Sequence, residues 1–166
     1  PLRRGVEFAE RDFGCGSGDL LAGFASHGVL AAGCDGSVHG VRRCPADVVT
    51  FHADLRRPVV LNRRFDLVTC IEVAEHLPRR NAQSLVTSIA SAAERRIVFS
   101  ASGPGQSGDD HINLQPAEYW VRLFEHEGFV HKSDETTAIR SVLGGAGAPE
   151  WFQNTIVLER YSASAG

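Results

Sequence analysis

The sequence lacks several features that mark whole classes of protein. Methionine is absent even at position 1, which suggests a clipped form of a longer chain. No apolar run approaches the length of a membrane span, and the first ten residues lack the apolar core of a signal peptide. We therefore expect no membrane-spanning segment and no membrane partner.

Surplus charge of either sign is also absent. The net charge is −3, and Lys132 is the only lysine among 17 basic residues. This balance provides no general electrostatic attraction to nucleic acid or anionic lipid. Paired arginines such as Arg3-Arg4 and Arg95-Arg96 are scattered between predicted elements, so we interpret them as solvated loop ends.

The cysteines are few and show no metal-binding or disulfide pattern. Cys15, Cys34, Cys44 and Cys70 have no CxxC spacing, and three of them have small or apolar neighbours. Such neighbours are typical of buried free thiols in a reducing compartment. We predict that the thiols are structural and that the location is cytoplasmic.

The chain does have the length and alternating pattern of an α/β domain. It contains 166 residues, 43% of them hydrophobic and 22% charged, which suits a single domain over residues 1–166. A first predicted strand ends at Asp12-Phe13-Gly14. Six further predicted strands cover 29–34, 48–53, 65–71, 97–100, 136–142 and 155–160, and predicted helices cover 19–27, 80–94 and 117–127. Short apolar strands alternating with helices imply a parallel sheet covered on both faces. The last two strands, with no predicted helix between them, suggest an antiparallel hairpin at one edge.

A glycine-rich turn follows the first strand. Residues 12–18 read DFGCGSG, and Asp35 ends the next apolar run. Glycines at such a turn let a ligand approach the backbone closely, and an acid at the next strand end can accept hydrogen bonds from both ribose hydroxyls. No Gly-Lys-Ser/Thr follows, which excludes a phosphate-binding P-loop. The pattern predicts a nucleoside-containing ligand.

At these residues the sequence resembles class I S-adenosylmethionine-dependent methyltransferases. DFGCGSG resembles their first motif, Asp35 their ribose-binding acid and Asp54 the residue that meets the adenine amino group. FDLVTCIEV at 65–73 resembles the fourth-strand motif beneath the methionine moiety. The resemblance implies a Rossmann-like three-layer sandwich with a seven-stranded, mostly parallel sheet and S-adenosyl-L-methionine across the C-terminal strand ends. The implied cofactor-binding residues are Asp12, Gly14, Cys15, Gly16, Gly18, Asp35, Gly36, Asp54, Leu55, Ile71 and Glu72.

The sequence departs from the family pattern before the first motif. Ala9-Glu10-Arg11 stands where an apolar run normally precedes Asp12. Residues 1–10 also leave little room for the N-terminal helix that usually closes the cofactor pocket. Either the first strand is very short or apolar residues that normally precede the motif are missing from this sequence, and we expect the lid helix to be absent or curtailed.

The segment after the fourth strand carries the candidate chemistry. If a helical turn begins there, Glu72, Glu75 and His76 share one face, and two carboxylates with an imidazole suit Mg²⁺ or Mn²⁺. This ExxEH pattern also resembles the metal motif of small-RNA 3′-terminal 2′-O-methyltransferases, with His111 in the place of their later histidine. On this interpretation the metal ligands are Glu72, Glu75, His76 and His111. The segment also resembles EVxEH sequences of small-molecule methyltransferases that need no metal, which implies instead that Glu72 lines the methionine pocket and His76 closes it or acts as base.

Three functions remain open on the sequence. The preferred one is methylation of a small molecule, O-methylation before N-methylation, with His111 or His76 as general base. The second is metal-assisted 2′-O-methylation of an RNA end, against which the net charge argues mildly. The third is a non-catalytic cofactor-binding module. The sequence does not indicate an oligomeric state.

Two aromatic residues outside the motifs also carry expectations. His52 lies inside an apolar strand and is predicted to be a core residue. Trp151 follows a glycine-rich loop and could form a wall of the substrate pocket, although packing at the sheet edge is an equal alternative.

Overall fold

A computed structural model describes residues 9–147 and 150–162. The N-terminal lid region lies outside the described residues. One seven-stranded sheet in the order β3-β2-β1-β4-β5-β7-β6 organises the chain. The strands are β1 (Ala9–Phe13), β2 (Leu30–Asp35), β3 (Val49–His52), β4 (Phe65–Ile71), β5 (Ala93–Ser100), β6 (Phe129–His131) and β7 (Ile156–Arg160).

The sheet is mixed but mostly parallel. Strands β1 to β5 pair in parallel, whereas β7 is antiparallel to both β5 and β6. The C-terminal ends of β1 to β5 therefore meet at one edge of the sheet, where ligands bind in open α/β folds. The predicted fold class is confirmed.

Helices cover the sheet. They are α1 (Asp19–Ser26), α2 (Val38–Val41), α3 (Ala82–Ala92), α4 (Ala117–His126) and α5 (Ser133–Gly145), with 3₁₀ turns at Ala74–His76, Arg79–Asn81 and Glu150–Asn154. In the main core, Ile89 of α3 and Trp120 of α4 belong to the same buried cluster as Phe99 of β5. A second cluster joins Leu21 of α1 to Ala31 of β2. Among the described residues, no helix is both long and apolar enough to cross a membrane.

The predicted strand at Thr136–Val142 is wrong, because this segment lies within α5. Its β-branched residues favour a strand locally, but tertiary contacts override that preference. Thr136 is buried, and its hydroxyl accepts a hydrogen bond from the Val157 backbone NH at 2.9 Å. The sixth strand is the three-residue β6, too short to stand out in the sequence. The edge is antiparallel as predicted, but α5 rather than a hairpin turn joins its strands.

The polar first strand is buried along its whole length. Arg11 lies with its guanidinium carbon 4.5 Å from the centre of the Phe51 ring on β3. Such a cation–π contact offsets part of the cost of burying a charge. Aromatic neighbours thus accommodate the charged residue that stands in place of the usual apolar run.

The four cysteines are free thiols, as predicted. Cys15, Cys34 and Cys70 are buried, and Cys44 is half-buried. Burial raises the pKa of the Cys34 and Cys70 thiols, which keeps both protonated and unreactive. The burial of Cys34 and Cys70 is consistent with the predicted structural role of these two thiols.

Candidate active site

The glycine turn between β1 and α1 holds three glycines at alternate positions, all at positive φ: Gly14 at 88°, Gly16 at 52° and Gly18 at 82°. A Cβ at Gly14 would lie 2.2 Å from Val73 Cγ2, and one at Gly18 would lie 3.0 Å from Cys44 Sγ. Packing therefore requires both glycines. A Cβ at Gly16 would meet no described protein atom within 4 Å, so this part of the turn faces open space.

Asp35 ends β2 and is tied to the glycine turn. Its Oδ2 accepts a hydrogen bond from the Gly16 backbone NH at 2.8 Å, and its Oδ1 accepts one from the Ser37 NH at 2.6 Å. A carboxylate has about four acceptor positions, so capacity remains for a ligand's hydroxyl groups. The structure thus brings together the turn and the acid that the sequence singled out.

A cavity of about 560 Å³, here named the strand-end cavity, opens at the carboxyl ends of the parallel strands. It is lined by Gly14, Asp35, Gly36, Ser37, His52, Asp54, Leu55, Arg56, Glu72, Val73, His76 and Leu77. Six of the predicted cofactor-binding residues are among them. Asp12, Cys15, Gly16 and Ile71 instead line an adjoining cavity of about 700 Å³, whose walls include α1 and α5 residues. Gly18 lines neither cavity and supports the turn through packing.

Two lining residues were missed or misassigned from the sequence. His52 is exposed, with Nε2 3.1 Å from the Gly36 carbonyl oxygen, so its prediction as a core residue is wrong. Strand β3 lies at the sheet edge, where side chains stay accessible. Arg56 donates from Nε to Asp54 Oδ1 at 2.8 Å, and this contact lowers the pKa of Asp54 to about 2. Asp54 is consequently a fixed anion at neutral pH.

A further cavity, of about 480 Å³, lies beside the strand-end cavity and is here named the loop cavity. It is lined by Glu72, Ser102, Gly105, Gln106, Ser107, Gly108, His111 and Trp151. Glu72 lines both cavities, so a molecule in one is adjacent to a molecule in the other. Trp151 does line this cavity, as the sequence allowed, whereas no motif signalled Ser102 or Gln106.

Glu72 has the strained backbone that often marks functional residues. Its φ is 53°, in the left-handed region that residues other than glycine rarely adopt. The Glu72 NH donates to the Ser100 carbonyl oxygen at 3.1 Å, and the Ser102 hydroxyl donates to Glu72 Oε2 at 2.9 Å. The end of β5 and the loop after it thus fix this side chain between the cavities.

The turn after Glu72 is a 3₁₀ turn that begins at Ala74. The expectation that Glu72, Glu75 and His76 share one face of a helix is therefore wrong. Glu75 is fully buried, and the Ser102 NH donates to its Oε1 at 3.2 Å. Burial raises the pKa of Glu75 to about 7, and the neighbouring Glu72 carboxylate also raises it. Glu75 therefore lies at the back of the site, joined to the loop after β5.

His76 and His111 meet above this buried acid. Their rings pack edge to face with centroids 4.9 Å apart. One potential ligand atom each from Glu75, His76 and His111 lies within 4.8 Å of the others, and Glu72 does not belong to this group. Glu75 Oε2 and His111 Nδ1 are buried without hydrogen-bond partners among the described residues. One carboxylate and two imidazoles form a donor set that suits a divalent transition metal.

Two buried acids, Glu10 and Asp12, lie on β1 next to the glycine turn. The Thr69 hydroxyl oxygen is 2.8 Å from both Glu10 Oε1 and Asp12 Oδ1. The Thr69 hydroxyl has one hydrogen, so it donates to only one of the two acids. The other acid must be protonated, so that its own O–H donates to the Thr69 oxygen. Burial, together with the nearby Asp12 charge, raises the pKa of Glu10 to about 8, and burial raises that of Asp12 to about 6. Glu10 therefore holds the proton at neutral pH.

Comparisons with known proteins place this geometry in context. A family described as a methyltransferase domain matches residues 12–133, which is more than half of the chain. A curated relative, magnesium-protoporphyrin O-methyltransferase of Synechocystis sp., is 29% identical over 96 residues. That match covers 54% of this chain and 42% of the relative, so the chain aligns with less than half of the relative's length.

Solved structures share the fold over nearly the whole chain. Magnesium protoporphyrin IX methyltransferase from Synechocystis, with bound SAH, superposes with a TM-score of 0.67 at 20% identity, covering 94% of this chain and 74% of that one. A sugar N-methyltransferase from Streptoalloteichus sp. superposes with a TM-score of 0.72 at 16% identity, covering 96% and 82%. At these identities the similarity establishes the fold.

Proposed function

The chain belongs to the methyltransferase domain family, and on that premise we propose that it transfers a methyl group from S-adenosyl-L-methionine to a small-molecule acceptor, by O-methylation. The observation that carries this proposal is the meeting of two cavities at Glu72. One cavity has the acidic strand end and glycine turn that suit a nucleoside, and the other is open to a second molecule. A two-substrate transfer needs this arrangement.

The strand-end cavity fits the nucleoside part of the cofactor. Asp35 has acceptor capacity for ribose hydroxyls, and Asp54, which the family resemblance assigns to the adenine, lines the same cavity together with Leu55. The open space at Gly16 allows close approach to the turn. Asp12, Cys15 and Ile71 shape the adjoining wall, and Gly18 keeps the turn in place.

The loop cavity holds the acceptor in this proposal. S-adenosylmethionine supplies a methyl group on a positively charged sulfur, and the carbon–sulfur bond breaks as the acceptor oxygen bonds to that carbon. The acceptor hydroxyl proton passes to His111, which lines the loop cavity. His76 lines the strand-end cavity instead and packs against His111, so it holds the ring of the base. Glu72 orients both molecules at the junction.

Methyl transfer to fractionated cell extract tests this proposal. The purified chain is incubated with S-adenosylmethionine labelled in the methyl carbon and with either a small-molecule fraction or an RNA fraction. We expect label in the small-molecule fraction with the wild type and at least 100-fold less with His111→Ala. Label confined to the RNA fraction would contradict the small-molecule assignment. SAH binding without any transfer would favour the non-catalytic module.

A second candidate is favoured by the cluster of Glu75, His76 and His111. We propose it as the alternative in which a divalent cation assists transfer to an RNA 3′-terminal 2′-hydroxyl. Of the two predicted cations, Mn²⁺ fits the two imidazoles of the cluster, and Mg²⁺, which prefers oxygen ligands, fits them poorly. A bound cation would lower the pKa of a coordinated hydroxyl. The ligand atoms within 4.8 Å and the buried, unpartnered Glu75 Oε2 support a site that fits an ion.

Direct measurement of Mn²⁺ binding separates the two candidates without an activity readout. Calorimetric titration with Mn²⁺ should show saturable binding if the cluster is a metal centre, and Glu75→Gln should weaken it by at least 10-fold. Glu94→Gln, an exposed change of the same kind, is the matched control. Absence of binding, with transfer unaffected by chelator, would exclude this alternative.

A further inference from the structure

The loop cavity limits the size of the acceptor. Its volume of about 480 Å³ falls in the lower half of the range for small-molecule sites. Glu72, shared with the strand-end cavity, brings one end of it beside the cofactor. A compact acceptor would reach the transferred methyl group from here, whereas a large planar one would extend beyond the lining.

The charge of the lining disfavours anions. Glu72 contributes a carboxylate, and Asp109 and Asp110 follow as exposed residues of the same loop. Among the described residues that line this cavity there is no lysine or arginine. A carboxylate or phosphate on the acceptor would enter beside like charge with no lysine or arginine to pair with, since the one basic group of the described lining, His111, is needed neutral as the base.

Groups that hydrogen-bond are close together in the cavity. Gln106 Oε1 already accepts from the Gly103 NH, which leaves the amide nitrogen as the group that can donate to a ligand. Glu72 offers a carboxylate acceptor, and Ser107 is exposed with a hydroxyl that both donates and accepts. Hydroxyl groups match such a mixture because each of them can donate and accept.

Trp151 adds the one large apolar side chain of the described lining. It is half-buried, so part of the indole is covered by protein and part is accessible. A ligand with an apolar face and a polar rim would pack on the indole while its rim reaches the hydrogen-bonding groups. A pyranose ring, with C–H bonds on its faces and hydroxyls at its edge, has this form.

We infer that the acceptor is a compact polyhydroxylated molecule that is neutral or positively charged, in chemical class a sugar or an amino sugar. It lies in the loop cavity with its ring on Trp151 and a donor group, hydroxyl or ammonium, toward Glu72. This inference rests on the proposed function and narrows the substrate class of the same site. An anionic acceptor of equal size is the alternative that it excludes.

Three probes of matched size test the inference: methyl glucoside, which is neutral, glucosamine, which is cationic, and glucuronate, which is anionic. Each is titrated by saturation-transfer NMR into the wild type with SAH present at saturation. We expect glucosamine and methyl glucoside to bind, and glucuronate to bind at least 10-fold more weakly than glucosamine. Two results would overturn this inference and leave the proposed function standing. One is glucuronate that binds as tightly as glucosamine, and the other is no binding of any probe while SAH still binds.

Variants connect the discrimination to the named residues. Glu72→Gln should reduce the preference for glucosamine over glucuronate at least fivefold, and Glu94→Gln should leave it unchanged. Trp151→Ala should weaken the binding of methyl glucoside at least fivefold, whereas Trp151→Phe should keep most of the wild-type affinity for it. An unchanged preference in Glu72→Gln would contradict the assigned orientation. If the wild type fails to bind SAH at all, the proposed function itself is wrong.

Discussion

The strand-end cavity and the loop cavity meet at Glu72, yet they are built from different parts of the chain. The first is formed where parallel strands end, from a glycine turn and acids held by backbone NH groups. The second is formed by side chains from the loop after β5 and the turn before β7. Recognition at the first depends on main-chain geometry fixed by the sheet, and recognition at the second depends on a few side chains. We therefore expect cofactor binding and acceptor chemistry to respond to different substitutions.

The largest expected effect concerns His111. His111→Ala should lower the rate of methyl transfer at least 100-fold, because general-base catalysis typically contributes about 10²–10⁴-fold. SAH affinity should stay within about twofold, since this residue does not line the strand-end cavity. Transfer assays and calorimetry measure the two quantities. His126→Ala, an exposed change at the end of α4, is the control, and a parallel loss of affinity would break the separation of the cavities.

Asp35 should show the opposite behaviour. Asp35→Ala should weaken SAH binding by about 1.5–3 kcal/mol through loss of charge-assisted hydrogen bonds to ribose. Calorimetry gives the affinity, and circular dichroism confirms that the fold is kept. Asp47→Ala, on an exposed loop nearby, should bind as the wild type does. Wild-type affinity in Asp35→Ala would remove this residue from the cofactor site.

Glu10 is fully buried on β1, two residues before Asp12, and should affect stability. Its pKa is raised from 4.5 to about 8 in the folded chain, so the folded state retains a proton that the unfolded state releases. The free energy of unfolding should therefore fall as pH rises through this window, by about 2 kcal/mol between pH 6.5 and pH 8. In Glu10→Gln this decline should largely disappear.

Urea unfolding at several pH values checks the Glu10 prediction. Below pH 6.5 the variant should still lose some stability as pH rises, because the pKa of Asp12 is raised to about 6. Glu94→Gln should follow the wild-type profile. Equal slopes for wild type and Glu10→Gln between pH 6.5 and pH 8 would show that Thr69 is not bridging a protonated Glu10.

The smallest expected effect concerns Asp54. This side chain is half-buried and already paired with the exposed Arg56, so a hydrogen bond that it accepts from a ligand is screened by water. Asp54→Asn should weaken SAH binding by less than about fivefold. The contrast with Asp35→Ala, measured by the same calorimetry, tests whether an acid held by backbone NH groups contributes more than one paired with an exposed arginine. A loss as large as that of Asp35→Ala would reverse the ranking.

The sequence predicted the parts of the site that backbone geometry imposes. Gly14 must be glycine because Val73 packs where its Cβ would lie, and Asp35 follows from the length of one β-α-β unit. Ser102 and Gln106 could not be identified in this way, because a polar loop has no periodicity and its path depends on tertiary contacts. His52 was misread for a related reason: its apolar strand is an edge strand, and sheet order is not visible in the sequence.

The most direct test of the account is calorimetric titration of SAH into the wild-type chain, with circular dichroism to establish that the chain is folded. We expect saturable binding at one site per chain, weakened in Asp35→Ala and nearly unchanged in His111→Ala. A folded wild-type chain that shows no saturable SAH binding would contradict the central claim that the strand-end cavity is a cofactor site.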